Sequence, residues 1–400
     1  MRGAVFGSVR VPVVRRGAVA ALAAASLLLT AGCSSGGQAG GAAGRESAPS
    51  APPSASASAS PGYTAPPAEG SVTVRSTLAE GLDSPWGLAA LPGGDLLVGS
   101  RDEATVTRID AKTGKKTLLG SVPGVSPAGE GGLLGLAVPA TFGADRQVYA
   151  YFTTESDNRI ARMTYDPKRP AGQQLGAPDT VLRSLPKGFV HNGGRIAFGP
   201  DRMLYAGTGE TGDDQVAQDP DSLAGKILRM TPDGEPVHGN PEADSVVYSS
   251  GHRNVQGLAW DGQKRLWASE FGQDTWDELN LIEPGKNYGW PETEGEKGRP
   301  GFTEPVAQWP TSKASPSGIA YAAGSVWVAG LRGERLWRVP LSGTAEEPSA
   351  EPQAFLEGRY GRLRTVVAAG GDRLWLVTSN TDGRGTPESG DDRILLVEVD

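Results

Sequence analysis

Apolar and polar residues alternate in short runs over most of the chain, and this pattern predicts strands rather than helices. One unit recurs, in which a small residue and an apolar pair lead into a turn containing Gly or Asp. Its copies include WGLAALPGGDLLVGS from Trp86 and GRIAFGPDRMLYAGT from Gly194. After the turn, Leu, Val, Tyr or Trp occupy alternate positions, as in a half-buried strand. Each copy therefore predicts two strands joined by a tight turn.

The unit occurs six times, at intervals of 46 to 62 positions. One pair of strands cannot bury its apolar face alone, but repeated sheets can do so by stacking around an axis. The repeat therefore predicts an all-β fold, a six-bladed β-propeller that occupies residues 71–400. A β-sandwich with chance repeats is the alternative. The anchor residues of the six copies are Gly87, Gly135, Arg195, Gly257, Gly318 and Arg364.

The first 33 residues have the pattern of an export signal. Four arginines and no acids precede an apolar run over residues 17–29, and LTAGC then ends at Cys33. This arrangement is typical of a lipoprotein signal whose cysteine is lipidated. A plain signal peptide and an uncleaved anchor are the alternatives, because Thr30 stands where Leu or Val is usual. We expect the protein to be exported and held at the outer face of the cell membrane through Cys33.

Residues 34–70 are almost entirely Ser, Gly, Ala and Pro. Such a segment cannot bury enough apolar surface to fold, so it is predicted to be a disordered, flexible linker. The chain carries a formal charge of −8 without a basic stripe, which argues against nucleic acid as a partner. Because Cys33 is the only cysteine, disulfides and cysteine-rich metal sites are excluded.

Polar and ionisable groups stand immediately before five of the six repeats. In a propeller these positions share one end, so their side chains should converge on one mouth, as in a ligand site. His191, one of three histidines, precedes the third repeat on a glycine hinge, and Glu210 closes that segment. A solvated loop histidine is the simpler interpretation of His191 from its position alone. The groups before the repeats are Glu130, His191, Asn192, His252, Arg253, Asn254, Ser315, Ser317, Tyr360 and Arg362.

Three stretches, HNGGRIAFGPD, GHRNVQGLAWD and ELNLIEPGKNYGWPE, together resemble the soluble quinoprotein glucose/sorbosone dehydrogenase-like family. The aldose sugar dehydrogenase branch is the nearest, and the likeness extends from about residue 82 to the C-terminus. The resemblance implies a six-bladed propeller, in agreement with the repeat count. It also implies pyrroloquinoline quinone (PQQ) and Ca²⁺ as cofactors, and oxidation of the anomeric hydroxyl of aldose sugars to lactones.

The resemblance implies catalytic roles for two of these loops. His191 would take the proton of the sugar C1 hydroxyl while the C1 hydride passes to the quinone, and Glu210 would orient this base. A neutral imidazole suits the task, because its unperturbed pKa is about 6.5. Arg253 and Asn254 would contact the quinone. The Arg253 guanidinium, always charged, would stabilise the negative charge that builds on the cofactor carbonyl.

The stretch SEFGQDTWDELNLIEPGKNYGWPE is rich in the oxygen donors that hard cations prefer. By the resemblance, the backbone carbonyls of Gly272 and Gln273 would hold the Ca²⁺ that polarises the quinone. Glu270 and Asn280 would bind a second, structural Ca²⁺. Gln273 departs from the family, which usually has proline there.

Cations and aromatic rings complete the implied cofactor site. Arg332, Arg362 and Arg364 match the basic residues that bind the quinone carboxylates. Alternation along a strand puts Arg362 and Arg364 on one face, which supports their joint use on one ligand. Tyr288 and Trp290 would stack on a planar ligand. Packing of the NYGWP turn in the core is the alternative for these two rings.

Glu130 stands where many members of the family carry glutamine. A carboxylate would repel an anionic quinone unless a cation lies between them. Two other functions therefore stay open, namely a calcium-dependent propeller hydrolase such as a lactonase, and a non-catalytic binding propeller that has lost the cofactor. The arginines argue against the hydrolase, because a neutral lactone requires no such cations. The pattern identifies neither the sugar nor the electron acceptor, and it assigns no role to residues 294–309.

Overall fold

The computed structural model describes residues 63–343 and 347–400. In this part of the chain, strands β1 to β24 form six antiparallel sheets of four strands each. Helix α1 (Phe142–Asp145) and the 3₁₀ helix Asp214–Ala217 lie in connections. Strands β1 to β12 are Val72–Ala79, Pro85–Ala90, Leu96–Ser100, Thr105–Ile109, Lys116–Ser121, Leu133–Ala137, Gln147–Thr153, Asn158–Thr164, Asp179–Leu185, Ile196–Phe198, Leu204–Gly207 and Lys226–Met230. Strands β13 to β24 are Val247–Ser250, Val255–Trp260, Leu266–Glu270, Trp276–Ile282, Ala307–Pro310, Pro316–Ala322, Ser325–Gly330, Arg335–Pro340, Gln353–Phe355, Leu363–Ala368, Arg373–Thr378 and Ile394–Val399.

Each sheet is one blade, and the six blades form a closed ring. The innermost strands β2, β6, β10, β14, β18 and β22 contact one another in that order, and β22 returns to β2. The sixth blade joins both ends of the domain, because β1 pairs with β24 from Val72↔Val399 to Ala79↔Ile394. The predicted six-bladed propeller is therefore confirmed, and a two-sheet sandwich is excluded.

The repeated glycine of the sequence unit lies where inner strands of adjacent blades pass closest. A Cβ on Gly87 would lie 2.5 Å from the carbonyl oxygen of Leu134, and one on Gly135 would lie 2.2 Å from that of Gly194. Real Cβ atoms do not approach so closely, so a side chain at either position would force the blades apart. The close packing of adjacent blades thus explains why glycine recurs at this position of the unit.

Apolar side chains fill the spaces between neighbouring blades. Leu97 and Val106 of the first blade form one buried cluster with Leu133 and Phe152 of the second. Alternate positions of a strand face opposite sides of its sheet, so a blade buries one face against each neighbour. Each blade therefore depends on both of its neighbours for burial, and the loops at the ring's ends are held in fixed relative positions.

Residues 63–70, which the sequence assigned to the linker, pack against the fifth blade (β18 to β21). Arg338 donates hydrogen bonds to the carbonyl oxygens of Pro67 (2.8 Å) and Ala68 (3.2 Å). The packed part of the chain therefore extends beyond the predicted boundary at residue 71. The predicted signal, the lipidation of Cys33 and the rest of the predicted linker lie outside the described residues. Within those residues, no helix is long and apolar enough to cross a membrane.

Lys226 on β12 is a buried cation enclosed by backbone oxygens. Its Nζ donates to the carbonyls of Val216, Ala217 and Ala224 at 2.8 to 2.9 Å. Burial lowers the pKa of Lys226 to about 8. The Ala217 carbonyl also accepts from the backbone N–H of Gly251, which begins the GHRN loop. Lys226 thus connects the 3₁₀ helix to the loop that carries predicted cofactor residues.

We expect Lys226→Met to lower the free energy of unfolding by about 2 kcal/mol, because it leaves buried carbonyls without their donor. The measurement is the urea midpoint, with Lys112→Met on an exposed turn as the control. Equal midpoints for the two variants would contradict a stabilising role for the Lys226 ammonium group.

Candidate active site

A polar cavity of about 340 Å³ opens at the end of the ring where the loops before the inner strands converge. Five arginines and two carboxylates lie in its wall. The predicted cofactor residues Glu130, Arg332, Arg362 and Arg364 are among them, although they come from different parts of the ring. The lining residues are Trp86, Arg101, Glu130, Gln256, Phe271, Ser315, Leu331, Arg332, Arg362, Arg364, Asp382 and Arg384.

His191 and Glu210 form a close pair beside this cavity's Glu130. The imidazole Nδ1 lies 2.6 Å from Oε1 of Glu210. The Glu210 side chain is 3% exposed, whereas that of His191 is 16% exposed. A buried carboxylate at Nδ1 holds the proton there, so Nε2 is the nitrogen that can act as a base. The two side chains are thus in the direct contact that the family resemblance implied for a base and the acid that orients it.

Two side chains from other segments hold the backbone of the His191 loop. His191 has a left-handed backbone, with φ of 53°, and its N–H donates to Oε2 of Glu130 at 3.0 Å. The N–H of Gly193, with φ of 62°, donates to Oδ1 of Asn254 at 2.9 Å. The Asn254 Nδ2 is buried without a hydrogen-bond partner in the described part of the chain. Asn254 therefore holds the loop that contains His191 through its Oδ1, and its Nδ2 is an unused donor within the described residues.

Arg253 lies next to the His191–Glu210 pair. Its Nε is 3.9 Å from Oε1 of Glu210, and its Nη1 donates to the carbonyl oxygen of Gly272 at 2.7 Å. Burial lowers the pKa of Arg253, although the Glu210 charge opposes that shift. Its Nε has no hydrogen-bond partner among the described residues. Arg253 is thus a partly buried cation whose Nε donor is unused within the described residues.

Asp382 joins two of the predicted cofactor arginines. Its Oδ2 accepts from Arg362 Nη2 at 2.9 Å and from Arg364 Nη2 at 3.1 Å. Burial lowers the pKa of Arg364 to about 10, against the effect of the Asp382 charge. The exposed guanidinium of Arg332 has no hydrogen bond or salt bridge to any residue that the structure describes. Arg362 and Arg364 reach the same carboxylate, as expected for alternate residues that share one face of a strand.

Glu270 and Asn280, the predicted ligands of a structural Ca²⁺, are in contact in a buried polar cluster. The Asn280 Nδ2 donates to Oε1 of Glu270 at 2.8 Å and to Oε2 of Glu278 at 3.1 Å, whereas its Oδ1 has no partner in the described segments. Burial, followed by the charge of Glu270, raises the pKa of Glu278 to about 8. Glu270 also accepts from His252 Nδ1 at 3.0 Å. In residues 63–343 and 347–400, no three His, Cys, Asp or Glu side chains are grouped to hold a metal ion.

The structure places the rings of Tyr288 and Trp290 outside the wall of the arginine-lined cavity. Tyr288 is buried, stacks on His252 with ring centroids 4.8 Å apart, and donates its hydroxyl to the Leu281 carbonyl at 2.6 Å. Trp290 lies under Arg253, with the guanidinium carbon 5.3 Å from the ring. Tyr288 therefore packs in the core, which is the alternative that its sequence context left open, and Trp290 supports Arg253.

The predicted calcium loop at Gly272 and Gln273 is organised by Glu294. One oxygen of Glu294 accepts from four consecutive backbone N–H groups, those of residues 273–276, at 2.7 to 3.1 Å. Burial opposes ionisation of Glu294, but these N–H groups outweigh it and hold its pKa below the ordinary value. Gln273, where the family usually has proline, supplies one of the four donors. The first residue of the unassigned segment 294–309 thus fixes this loop.

Sequence reasoning missed Glu294, Asp382, Arg384 and Trp86. Asp382 and Arg384 lie together in the connection from β23 to β24, and the signal available was a run of polar and glycine residues, TSNTDGRG. Trp86 begins the first repeat, and its ring lies 4.4 Å from the guanidinium carbon of Arg195 and 5.8 Å from that of Arg364. All four act through contacts with residues remote in the chain.

The family model described as "Glucose / Sorbosone dehydrogenase" matches residues 82–394. The chain belongs to this family. A solved structure described as the PQQ-bound form of aldose sugar dehydrogenase from Streptomyces coelicolor is 72% identical, covers 84% of this chain and 100% of that chain, and has a TM-score of 0.83. An oxidoreductase (glucose dehydrogenase) from Thermus thermophilus is 39% identical over 82% of this chain and 100% of its own, with a TM-score of 0.74. Aldose sugar dehydrogenase YliI of Escherichia coli is 31% identical over 80% of this chain and 92% of its length.

In this member of the glucose/sorbosone dehydrogenase family, we expect Glu294→Ala to loosen the loop at residues 272–276. Loss of one acceptor shared by four N–H groups should cost roughly 1–2 kcal/mol of stability, since the site is half exposed. Amide hydrogen exchange of Gln273 and Trp276 should accelerate. Glu296→Ala, at an exposed position, is the control. Unchanged exchange in Glu294→Ala would show that the loop is held by other contacts.

Proposed function

We propose that this protein is a PQQ-dependent aldose sugar dehydrogenase that oxidises the anomeric hydroxyl to the lactone. The observation that carries the proposal is the His191–Glu210 pair. Its Nε2 has no hydrogen-bond partner within the described residues, and the pair adjoins an arginine-lined cavity through Glu130. The similarity to a solved enzyme that is described as PQQ-bound supports the choice of cofactor. Family membership supports the reaction class.

The residues around the cavity fit an anionic, planar quinone. Five arginines against two carboxylates give the wall a net positive charge, which suits a ligand with several carboxylates. In this wall, Arg364 Nε is a buried donor without a partner among the described residues. Arg253 Nε and Asn254 Nδ2 are two more such donors, next to the His191–Glu210 pair and outside the wall itself. Leaving such donors unpaired costs stability, so a ligand that accepts from them would be bound favourably.

In the proposed reaction, His191, Glu210 and Arg253 have separate roles. His191 Nε2 takes the proton of the C1 hydroxyl, and the buried Glu210 carboxylate stabilises the imidazolium that forms. The chemistry that a bound quinone would supply is acceptance of the C1 hydride; together with the proton taken by His191, this loss of one hydride and one proton would convert the sugar to the lactone. Arg253 stabilises negative charge at the acceptor carbonyl. An external acceptor must then remove the two electrons.

We also propose Ca²⁺ as a second cofactor, at the carbonyls of Gly272 and Gln273. Carbonyl oxygens are suitable ligands for this hard cation. Arg253 Nη1, which donates to the Gly272 carbonyl at 2.7 Å, would have to release that oxygen. For the structural ion, Glu270 and Asn280 lie in contact, and Asn280 Oδ1 is a buried acceptor without a partner among the described residues.

Export and membrane attachment are a further part of the proposal. They are supported by the N-terminal sequence alone, in which a basic and then apolar segment ends at Cys33. Anchoring through a long segment would leave the propeller in contact with solvent, where sugars and a soluble or membrane-bound acceptor are accessible.

The first test is reduction of an artificial dye by apo-protein supplied with PQQ, Ca²⁺ and an aldose. We expect His191→Ala to lower kcat by about 10³-fold, the scale of a lost general base, with little change in PQQ affinity. His238→Ala, at a loop position remote from the cavity, is the matched control. Lactone hydrolysis without quinone would favour the hydrolase instead. Silence in both assays would favour a binding propeller.

The second test addresses the proposed structural ion. Ca²⁺ at roughly 100-fold above its Kd should add about 2.7 kcal/mol to the stability of the wild type, and thus raise Tm by a few degrees. We expect Asn280→Leu to lose the share of the increase that comes from the structural ion, because it removes the unpartnered oxygen, and to keep the share of the ion proposed at Gly272 and Gln273. An equal increase in Tm in both proteins would place the ion elsewhere.

A further inference from the structure

Glu130, the carboxylate that stands where the family often has glutamine, forms a salt bridge with Arg384. We propose that Arg384 is a positioning residue for the cofactor site: it offsets the charge of Glu130, so that Glu130 can hold the backbone of His191 inside a cavity that must accept an anion. This proposal rests on the proposed function for the identity of that anion. It concerns a residue that sequence reasoning did not single out.

Both carboxylate oxygens of Glu130 have partners. Oε1 lies 2.8 Å from Nη2 of Arg384, and Oε2 accepts from the backbone N–H of His191 at 3.0 Å. The backbone N–H of Glu130 also donates to the carbonyl of Phe189 at 2.9 Å. The loop before the second blade is thus joined twice to the loop that carries the base. The salt bridge connects this assembly to the sixth blade.

A charged acceptor has a physical reason to be at position 130. A non-glycine residue with a left-handed backbone is strained, and His191 has a φ of 53°. A hydrogen bond to an ionised carboxylate is shorter and stronger than one to a neutral amide. Glu130 therefore holds this backbone more firmly than glutamine would. The disadvantage is a negative charge in a cavity for an anionic ligand.

Arg384 is placed to remove that disadvantage. Its backbone N–H donates to Oδ1 of Asp382 at 2.9 Å, while Oδ2 of the same carboxylate accepts from Arg362 and Arg364. The backbone of Arg384 is therefore held by the carboxylate that also binds Arg362 and Arg364, and its side chain reaches Glu130 from there. The Glu130 side chain is 18% exposed and that of Arg384 is 60% exposed, so solvent screens the arginine end of the pair more than the carboxylate end.

Because the charges of Glu130 and Arg384 offset each other, we expect substitutions of the two residues to have non-additive effects on PQQ affinity. Arg384→Gln leaves Glu130 uncompensated and should weaken PQQ binding. Glu130→Gln removes the repulsive charge and should not weaken it. In Glu130→Gln/Arg384→Gln the cavity keeps its net charge, so affinity should return. If Arg384 instead contacted the cofactor directly, the double variant would bind as weakly as Arg384→Gln.

The experiment is an equilibrium titration of each apo-protein with PQQ, followed by quenching of tryptophan fluorescence at low salt. We expect Arg384→Gln to raise Kd by about tenfold, Glu130→Gln to leave Kd equal or lower, and the double variant to lie within about threefold of the wild type. Arg384→Lys should also lie within about threefold, because it keeps the charge. Arg169→Gln, exposed on the connection between β8 and β9, is the control.

The proposal is overturned if Arg384→Gln binds as the wild type does, if the double variant stays as weak as Arg384→Gln, or if Arg384→Lys is as weak as Arg384→Gln. Wild-type protein that does not bind PQQ at all would overturn the proposed function as well. Melting temperatures of the apo-proteins show whether each variant is folded.

A kinetic comparison tests the link from Glu130 to His191. Glu130→Gln keeps an acceptor for the His191 N–H, whereas Glu130→Ala does not. We expect kcat at saturating PQQ to fall about tenfold in Glu130→Ala and less than threefold in Glu130→Gln, with similar KM for the sugar. Equal kcat in both variants would overturn the role of Glu130 in holding the base.

Discussion

The antiparallel pairing of β1 with β24 is the interaction on which the active-site geometry depends. These strands come from opposite ends of the domain and complete the sixth blade, from Val72↔Val399 to Ala79↔Ile394. Because each blade buries its faces against two neighbours, the ring is fixed only when it is closed. Glu130, His191 and Arg384 precede or follow strands of different blades, so their mutual distances are set by this closure.

The sequence was sufficient for the architecture because the relevant signal is local and repeated. Alternation within a strand, a turn and a small residue at the axis recur along the ring, and Gly87 and Gly135 stand where no side chain fits. The pairing of His191 with Glu210 followed from the resemblance and lies within one blade. By contrast, Glu294 contacts residues 273–276, and Arg384 contacts Glu130. No periodic pattern in the sequence relates the segments that these contacts join, so the sequence did not predict them. The packing of residues 63–70 was missed for the same reason: their composition is that of a linker, but Arg338 supplies donors that satisfy their carbonyls.

The distribution of charge sets the cavity apart from the rest of the molecule. The chain is acidic, with a net charge of −8, yet the cavity wall has more cations than anions. Burial lowers the pKa of Arg195 to about 9, with the Arg364 charge adding to that shift, and burial lowers the pKa of Arg364 to about 10. Both guanidinium groups lie over the Trp86 ring. Gathering buried cations in this way is unfavourable unless anions compensate them. In the proposed function, an anionic ligand at Arg364 would offset part of this repulsion and would be bound more tightly for that reason.

The two carboxylates around His191 perform separate tasks, which explains why both are present. Glu210 is nearly buried and contacts the ring at Nδ1, and in the proposed mechanism it stabilises the imidazolium that forms during the reaction. Glu130 acts on the backbone, where it holds a strained conformation that aims the ring. One carboxylate cannot do both, because the ring nitrogen and the backbone N–H require acceptors in different places. The second carboxylate brings an unwanted charge towards the cofactor cavity, and the arginine from the sixth blade offsets that charge without disturbing the hydrogen bond to the base.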